Sequence, residues 1–391
     1  MLSDLFTDPK RFSKASALFL LYIVSFLFFF RASFSILQGN EDKKTGLANI
    51  NVDFNGYMTG ALILKTNPKN LYDAEVQKQT QQQYLDKEMN GFLAFRNTPL
   101  VSFLYIPYTL VPTGSAYLIN YFVQISLILL FIGLLVIFIG YKKPLVPLAF
   151  IFPTAVMQAA YGQVTILLAL VLLFVFYLVK TDKLFWAGVL SAFLMLKINY
   201  LIFIPYLMLI LRRKTNYLIG LVVSLFLLIL VDSLIYRGFY LFDYISFISN
   251  SENSNMGLGP STLFNITAFL RHFNLSGQTL YLIIACLYIT SLVVVYLVKT
   301  KVSYEKLFAS IVLFTFSINF HMTQPDLISL LIPIFILGND KDIDSRFLIP
   351  ILFLIPLSPL CNLQSVAPVV LLGASLYILY FSYRRVSPKV L

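Results

Sequence analysis

Apolar residues in this chain do not alternate with polar ones. They gather in long unbroken blocks, separated by short polar breaks that carry Lys or Arg. Blocks of that length predict membrane-spanning helices, whereas a β-barrel needs alternating segments of about ten residues. One span each is expected at 15–37, 115–140, 144–160, 164–179, 218–235, 280–298, 307–320, 327–337, 347–357 and 366–381, and 184–211 is long enough for two short ones. The expectation is therefore an all-α polytopic membrane protein with about twelve transmembrane helices, forming a single integral-membrane domain over 1–391. Several late spans fall short of the usual ~20 residues.

Two long polar interruptions stand out. The first outer loop, 38–114, holds a polar island and the near-wholly polar stretch 75–89, expected to be a solvent-facing helix. It also holds the apolar stretch 99–112, bounded by Pro99 and Pro112. A full crossing there would move the following basic clusters to the other side, so it reads as a helix lying on or partly in the outer surface. The second outer loop covers 236–278.

Composition agrees with this pattern. Hydrophobic residues make up 59% of the chain and charged residues 12%, and mean hydropathy is +0.81. A soluble domain could not hide so much apolar surface. The net charge of +11 comes from clusters between apolar blocks, such as Lys142-Lys143, Arg212-Arg213-Lys214 and Arg384-Arg385. That distribution marks cytoplasmic loops rather than a nucleic-acid surface. The two cysteines, Cys286 and Cys361, form neither a disulfide framework nor a metal motif.

With the basic clusters inside, the unusual polar residues fall on the outer rim. Asp53 follows the first span and suits a general base, because a carboxylate near a low-dielectric surface has its pKa raised. It equally suits a helix N-cap. Lys197 lies within Leu194-Met195-Leu196-Lys197-Ile198 and either snorkels or holds a phosphate. Arg96 and Arg271 suit bidentate phosphate contact. His321 is one of only two histidines, which makes a hydrogen-bond donor more plausible than a metal ligand.

Taken together, Asp53-Phe54-x-x-Tyr57, Phe95-x-x-x-Pro99-Leu100, Gly162-Gln163, Lys197 followed by Pro205, Ser261-Thr262-Leu263-Phe264-Asn265 and late His321 resemble glycosyltransferase family 87 of the C superfamily. Thr165 stands where that family often has Asn after Gly-Gln-x. The resemblance implies an inverting transfer of a sugar, mannose favoured and arabinofuranose possible, from a polyprenyl-phosphate donor to a lipid or glycan acceptor. It implies Asp53 as catalytic base; Lys197, His321, Arg96 and Arg271 at the donor phosphate; and Tyr57, Asn55, Tyr161, Gln163, Asn265 and Gln324 at the sugar and acceptor. No cofactor and no metal are expected, since cations can serve a lipid monophosphate leaving group. The favoured setting is the plasma membrane of a prokaryote with the active site on the outer face. A transporter or flippase is the first alternative, but carriers tend to carry internal repeats and midplane charges. Another membrane transferase, such as an acyltransferase, is the second.

Overall fold

The computed structural model describes residues 9–40, 53–85, 92–142, 144–251, 263–275, 277–319, 321–341, 343, 345–361 and 363–386. Among these residues there are helices and turns but no strand. In chain order the α-helices are α1 (Pro9–Asn40), α2 (Asp53–Thr66), α3 (Ala74–Leu85), α4 (Pro99–Tyr105), α5 (Thr113–Phe138), α6 (Leu145–Phe150), α7 (Pro153–Tyr161), α8 (Thr165–Lys180), α9 (Leu184–Ala192), α10 (Phe203–Ile210), α11 (Lys214–Tyr236), α12 (Leu241–Ser251), α13 (Ile266–Arg271), α14 (Gly277–Val298), α15 (Tyr304–Ile318), α16 (Leu331–Asn339), α17 (Ser345–Leu354) and α18 (Ala367–Val386).

Five of them, α1, α5, α11, α14 and α18, are long and apolar enough to cross a membrane. Their outward faces carry large apolar side chains such as Leu234, Phe226, Leu282 and Leu297, which a lipid solvent accommodates. Shorter apolar helices fill the spaces between them. Helix α15 is the centre of the bundle, buried along its described length from Lys306 to Ile318. Helices α9 and α11 pack so closely that a Cβ at Gly188 would lie 2.0 Å from the Tyr217 carbonyl oxygen.

Three expectations are refined. The block 144–160 is not one continuous helix but α6 and α7, broken at Ile151-Phe152, because Pro153 has no N–H to continue the first helix. The block 184–211 divides as expected, and the break is Lys197 itself, extended at φ −136° and ψ 97° between two 3-10 turns. Helix α3 does not simply face solvent. Gln77, Gln81 and Leu85, each four residues apart, form a buried face. Residues 86–89 of that predicted helix lie outside the described residues. Asp73 starts α3 by accepting from the N–H groups of Glu75 (2.9 Å) and Val76 (3.1 Å).

The basic loops meet at one end of the bundle. Lys180 pairs with Glu305 at 3.1 Å, Lys306 with Asp340 at 3.1 Å, and Arg213 with Asp182 at 3.9 Å. Lys142 donates to the Gly338 carbonyl, and Lys299 to that of Leu209 at 3.1 Å. From this end α8 runs back about 24 Å along its 16 residues to Thr165. There, at the other end, the polar residues of the loops collect.

Candidate active site

Six separate parts of the chain enclose one open cleft of about 780 Å³, including its mouth. Asp53, Gly56 and Tyr57 come from the start of α2. Arg96 and Asn97 come from the extended segment before α4, and Gln163 from the turn after α7. Lys197 and Asn199 come from the break before α10, Ile248 from α12, and His321 and Thr323 from the chain after α15.

Each wall is fixed by its own hydrogen bonds. Two glutamine amides of α3 act like a neighbouring strand for segment 93–95. Gln81 accepts from the Leu93 N–H at 2.8 Å and donates to its carbonyl at 3.2 Å. Gln77 accepts from the Phe95 N–H at 2.8 Å and donates to its carbonyl at 3.4 Å. Tyr72 donates to the Asn97 carbonyl at 2.9 Å. Asp232 on α11 accepts from the Leu100 N–H at 2.5 Å, closing the first turn of α4. Arg96 is thus carried on a backbone held on both sides.

The turn after α7 is held by tyrosine hydroxyls. Tyr117 donates to the Ala160 carbonyl at 2.8 Å and Tyr105 to the Gly162 carbonyl at 2.9 Å. Gly162 is left-handed at φ +71°, and a Cβ there would stand 2.2 Å from Asn120 Nδ2, so the turn needs glycine on two counts. It delivers Gln163, whose Nε2 donates to Asp53 Oδ2.

From the break before α10, Lys197 Nζ lies 2.5 Å from Asp326 Oδ1, with Asp326 fully buried. Asp326 also accepts from Tyr200 Oη at 3.1 Å, and from the Thr323 N–H and hydroxyl at 2.8 Å each. Such a saturated carboxylate sets the position of the ammonium. His321 is braced to the same break: its N–H donates to Asn319 Oδ1 at 3.0 Å, its carbonyl accepts from Asn199, and Asn319 donates to the Asn199 carbonyl at 3.0 Å.

Burial pushes the Asp53 carboxyl up to about 6. The Gln163 hydrogen bond and the charge of Lys197 oppose that rise, Asp326 adds to it, and His321 opposes it weakly. Asp53 is therefore ionised at neutral pH yet basic enough to take a proton.

Of the site residues expected from the sequence, Asp53, Tyr57, Arg96, Gln163, Lys197 and His321 share this cleft, as does Phe95 of the quoted motif. The others do not line it. Tyr161 lies beside it, close enough to feel the Asp53 charge. Asn55 is buried within α2, because the helix turns it away from the face that carries Asp53 and Tyr57. Asn265 caps α13, accepting from the Ala268 N–H at 2.9 Å. Arg271 ends that same short helix. Gln324 donates to the Pro356 carbonyl at 2.5 Å. Ser261 and Thr262 lie outside the described residues. The residues not anticipated are Asp326 as the partner of Lys197, and the buried Gln124 and Gln158 behind Gln163; Thr165, marked in the sequence only as a departure from the family pattern, is buried beside them.

The model of glycosyltransferase family 87 matches residues 95–322, more than half of the chain. This chain belongs to glycosyltransferase family 87. The protein is accordingly a glycosyltransferase built on a membrane-type helical bundle. Arg96, Gln163, Lys197 and His321 fall within the matched stretch, whereas Asp53 and Asp326 lie outside it. No curated protein matches the chain. No solved structure matches it either.

Proposed function

We propose that the protein moves a sugar, mannose in first place and arabinofuranose in second, from a polyprenyl-phosphate donor to a lipid or glycan acceptor on the non-cytosolic face of a prokaryotic plasma membrane. The observation that carries this reading is the convergence of Asp53 with Lys197, His321 and Arg96 on one cleft. In this mechanism Asp53 takes the proton of the acceptor hydroxyl as its oxygen attacks the anomeric carbon. The bond from that carbon to the phosphate oxygen breaks on the far side, so configuration inverts. The donor phosphodiester carries one negative charge and the departing lipid phosphate gains a second. Lys197, Arg96 and His321 therefore stabilise the transition state more than the bound donor.

The side assignment follows from the basic clusters, which stand at the end of the bundle away from the cleft. The positive-inside rule supports a cytoplasmic position for that end. A prenyl chain suits the apolar flanks of short helices such as α4, whose Phe103 and Leu104 are exposed.

The test incubates purified protein with prenyl-phosphate mannose, prenyl-phosphate arabinofuranose and nucleotide sugars in turn, with membrane lipids as acceptors. Transfer from a prenyl-phosphate sugar, with release of prenyl phosphate and no loss in EDTA, is expected. Transfer from nucleotide sugars alone would overturn the reading.

A further inference from the structure

Behind Asp53 lies a line of buried amides and one hydroxyl that no part of the reaction yet uses. Gln163 donates from Nε2 to Asp53 Oδ2, and Thr165 Oγ1 stands 2.7 Å from Gln163 Oε1. Gln158 donates from Nε2 to Gln124 Oε1 at 3.0 Å and to the Gln163 carbonyl. Thr165 and Gln158 are fully buried, and Gln163 and Gln124 nearly so.

A primary amide has a donor end and an acceptor end, and a half-turn exchanges them. An ionised carboxylate only accepts, so the end of Gln163 facing Asp53 has to be the NH₂. The oxygen then faces Thr165, whose hydroxyl has one proton to give. Its second neighbour, Gln158 Oε1, is farther away at 3.3 Å. The proton therefore goes to Gln163; a turned amide would instead give an N–H to the Thr165 oxygen and leave the hydroxyl proton to the farther Gln158 Oε1, so the short bond favours the NH₂ toward Asp53.

We propose that Thr165 is a positioning residue for the transfer: by donating to Gln163 Oε1 it locks the amide so that Nε2 holds Asp53 Oδ2, leaving Oδ1 as the oxygen that takes the acceptor proton. This rests on the reading of Asp53 as the base. Without the Thr165 hydroxyl the amide can turn over. Its oxygen then repels an ionised Asp53 but accepts from a protonated one. Loss of the hydroxyl thus favours the protonated carboxyl.

The test follows Asp53 directly. Infrared carboxyl bands of the purified full-length protein are recorded across a pH series, and the spectrum of Asp53→Asn is subtracted. The other groups acting on Asp53, namely Lys197, His321 and Asp326, with Tyr57, Tyr105 and Tyr161 close by and Arg96 in the same cleft, are left in place. The expected wild-type midpoint is near pH 6, as burial and the Gln163 bond together set it. Thr165→Val should raise it by roughly one unit, the size of one charge-directed hydrogen bond, and Thr165→Ser should restore it. Thr165→Ala, which only removes atoms, should match the valine variant and serves if that variant does not fold. In a Gln163→Leu background Thr165→Val should add no shift. A midpoint unmoved by Val and Ala, or moved equally with Leu at 163, overturns the proposal. The titration needs no substrate, so an enzyme inactive toward every prenyl-phosphate sugar would sink the donor assignment without touching this result.

Discussion

Asp53 and Lys197 carry opposite charges in one cleft, and each is set by a different neighbour. Asp53 is held by an amide and raised to about 6 by burial. Below that pH the base is protonated, so kcat/KM should fall tenfold per unit as pH drops beneath about 6, measured over pH 4.5–8. Asp53→Asn should lower kcat by roughly 10³-fold or more. It should also raise thermal stability at pH 7.5. A carboxyl whose folded pKa lies above its unfolded value loses stability as pH rises from 3.8 toward about 6, and asparagine escapes that loss. Lys197 answers to Asp326 instead. Lys197→Met leaves a buried carboxylate without its cation, at a cost of about 3–5 kcal/mol. Lys197→Met with Asp326→Asn should recover most of the melting temperature but not kcat/KM for the donor. Equal recovery of both would reduce Lys197 to a structural cation. Asp53, Lys197, His321 and Arg96 stood out in the sequence as charges or an imidazole beside apolar runs, but so did Arg271, which does not line the cleft. Asp326 as the lysine's partner was not legible, since 129 residues separate the two and only the fold closes that distance. Gln158 and Gln124 were not legible because isolated amide side chains inside apolar runs carry no periodic signal, and Thr165 stood out only as a departure from the family pattern.

Single elements show the same division between what a pattern can reveal and what it cannot. The helical character of α3 follows from its strong helix formers, but a rule that looks for apolar stripes is blind to a buried face made of glutamine. That face exists because segment 93–95 offers unpaired peptide groups that two amides satisfy. Gln77→Leu and Gln81→Leu each strand a buried N–H and carbonyl, so each should destabilise by about 1–3 kcal/mol. Because the segment carries Arg96, each should also lower kcat more than it raises the donor KM, as steady-state kinetics would read. The break at Lys197 was foreseen from length alone, since 184–211 exceeds one span. The interruption at Pro153 was not, because proline is tolerated inside many membrane helices. Gly162→Ala places a Cβ at 2.2 Å from Asn120 Nδ2 in a left-handed backbone. It should lower the melting temperature and displace Gln163, so its loss of activity should track that of Gln163→Leu.

At the scale of the molecule, lipid-facing helices surround a buried α15 that links the two ends of the bundle. The basic loops meet where α8 ends and the cleft opens where α8 begins. Block lengths and charge clusters were sufficient for that polarity, because both reflect the same solvent boundary. They did not reveal how the blocks divide, since five helices are long enough to cross and the other apolar blocks form shorter helices and 3-10 turns. With Cys286 and Cys361 replaced by alanine, a cysteine at exposed Asn250 should react with an impermeant maleimide in intact cells. A cysteine at Arg213 should react only after lysis. The reverse pattern would move the cleft to the cytoplasmic side.

The most direct measurement is a single-turnover experiment with labelled prenyl-phosphate mannose and saturating acceptor lipid, comparing wild type with Asp53→Asn and reading donor binding and sugar transfer in the same tube. Wild type should transfer the label, and the asparagine protein should bind the donor with similar affinity and transfer almost none. Transfer by Asp53→Asn at the wild-type rate would contradict the account at its root.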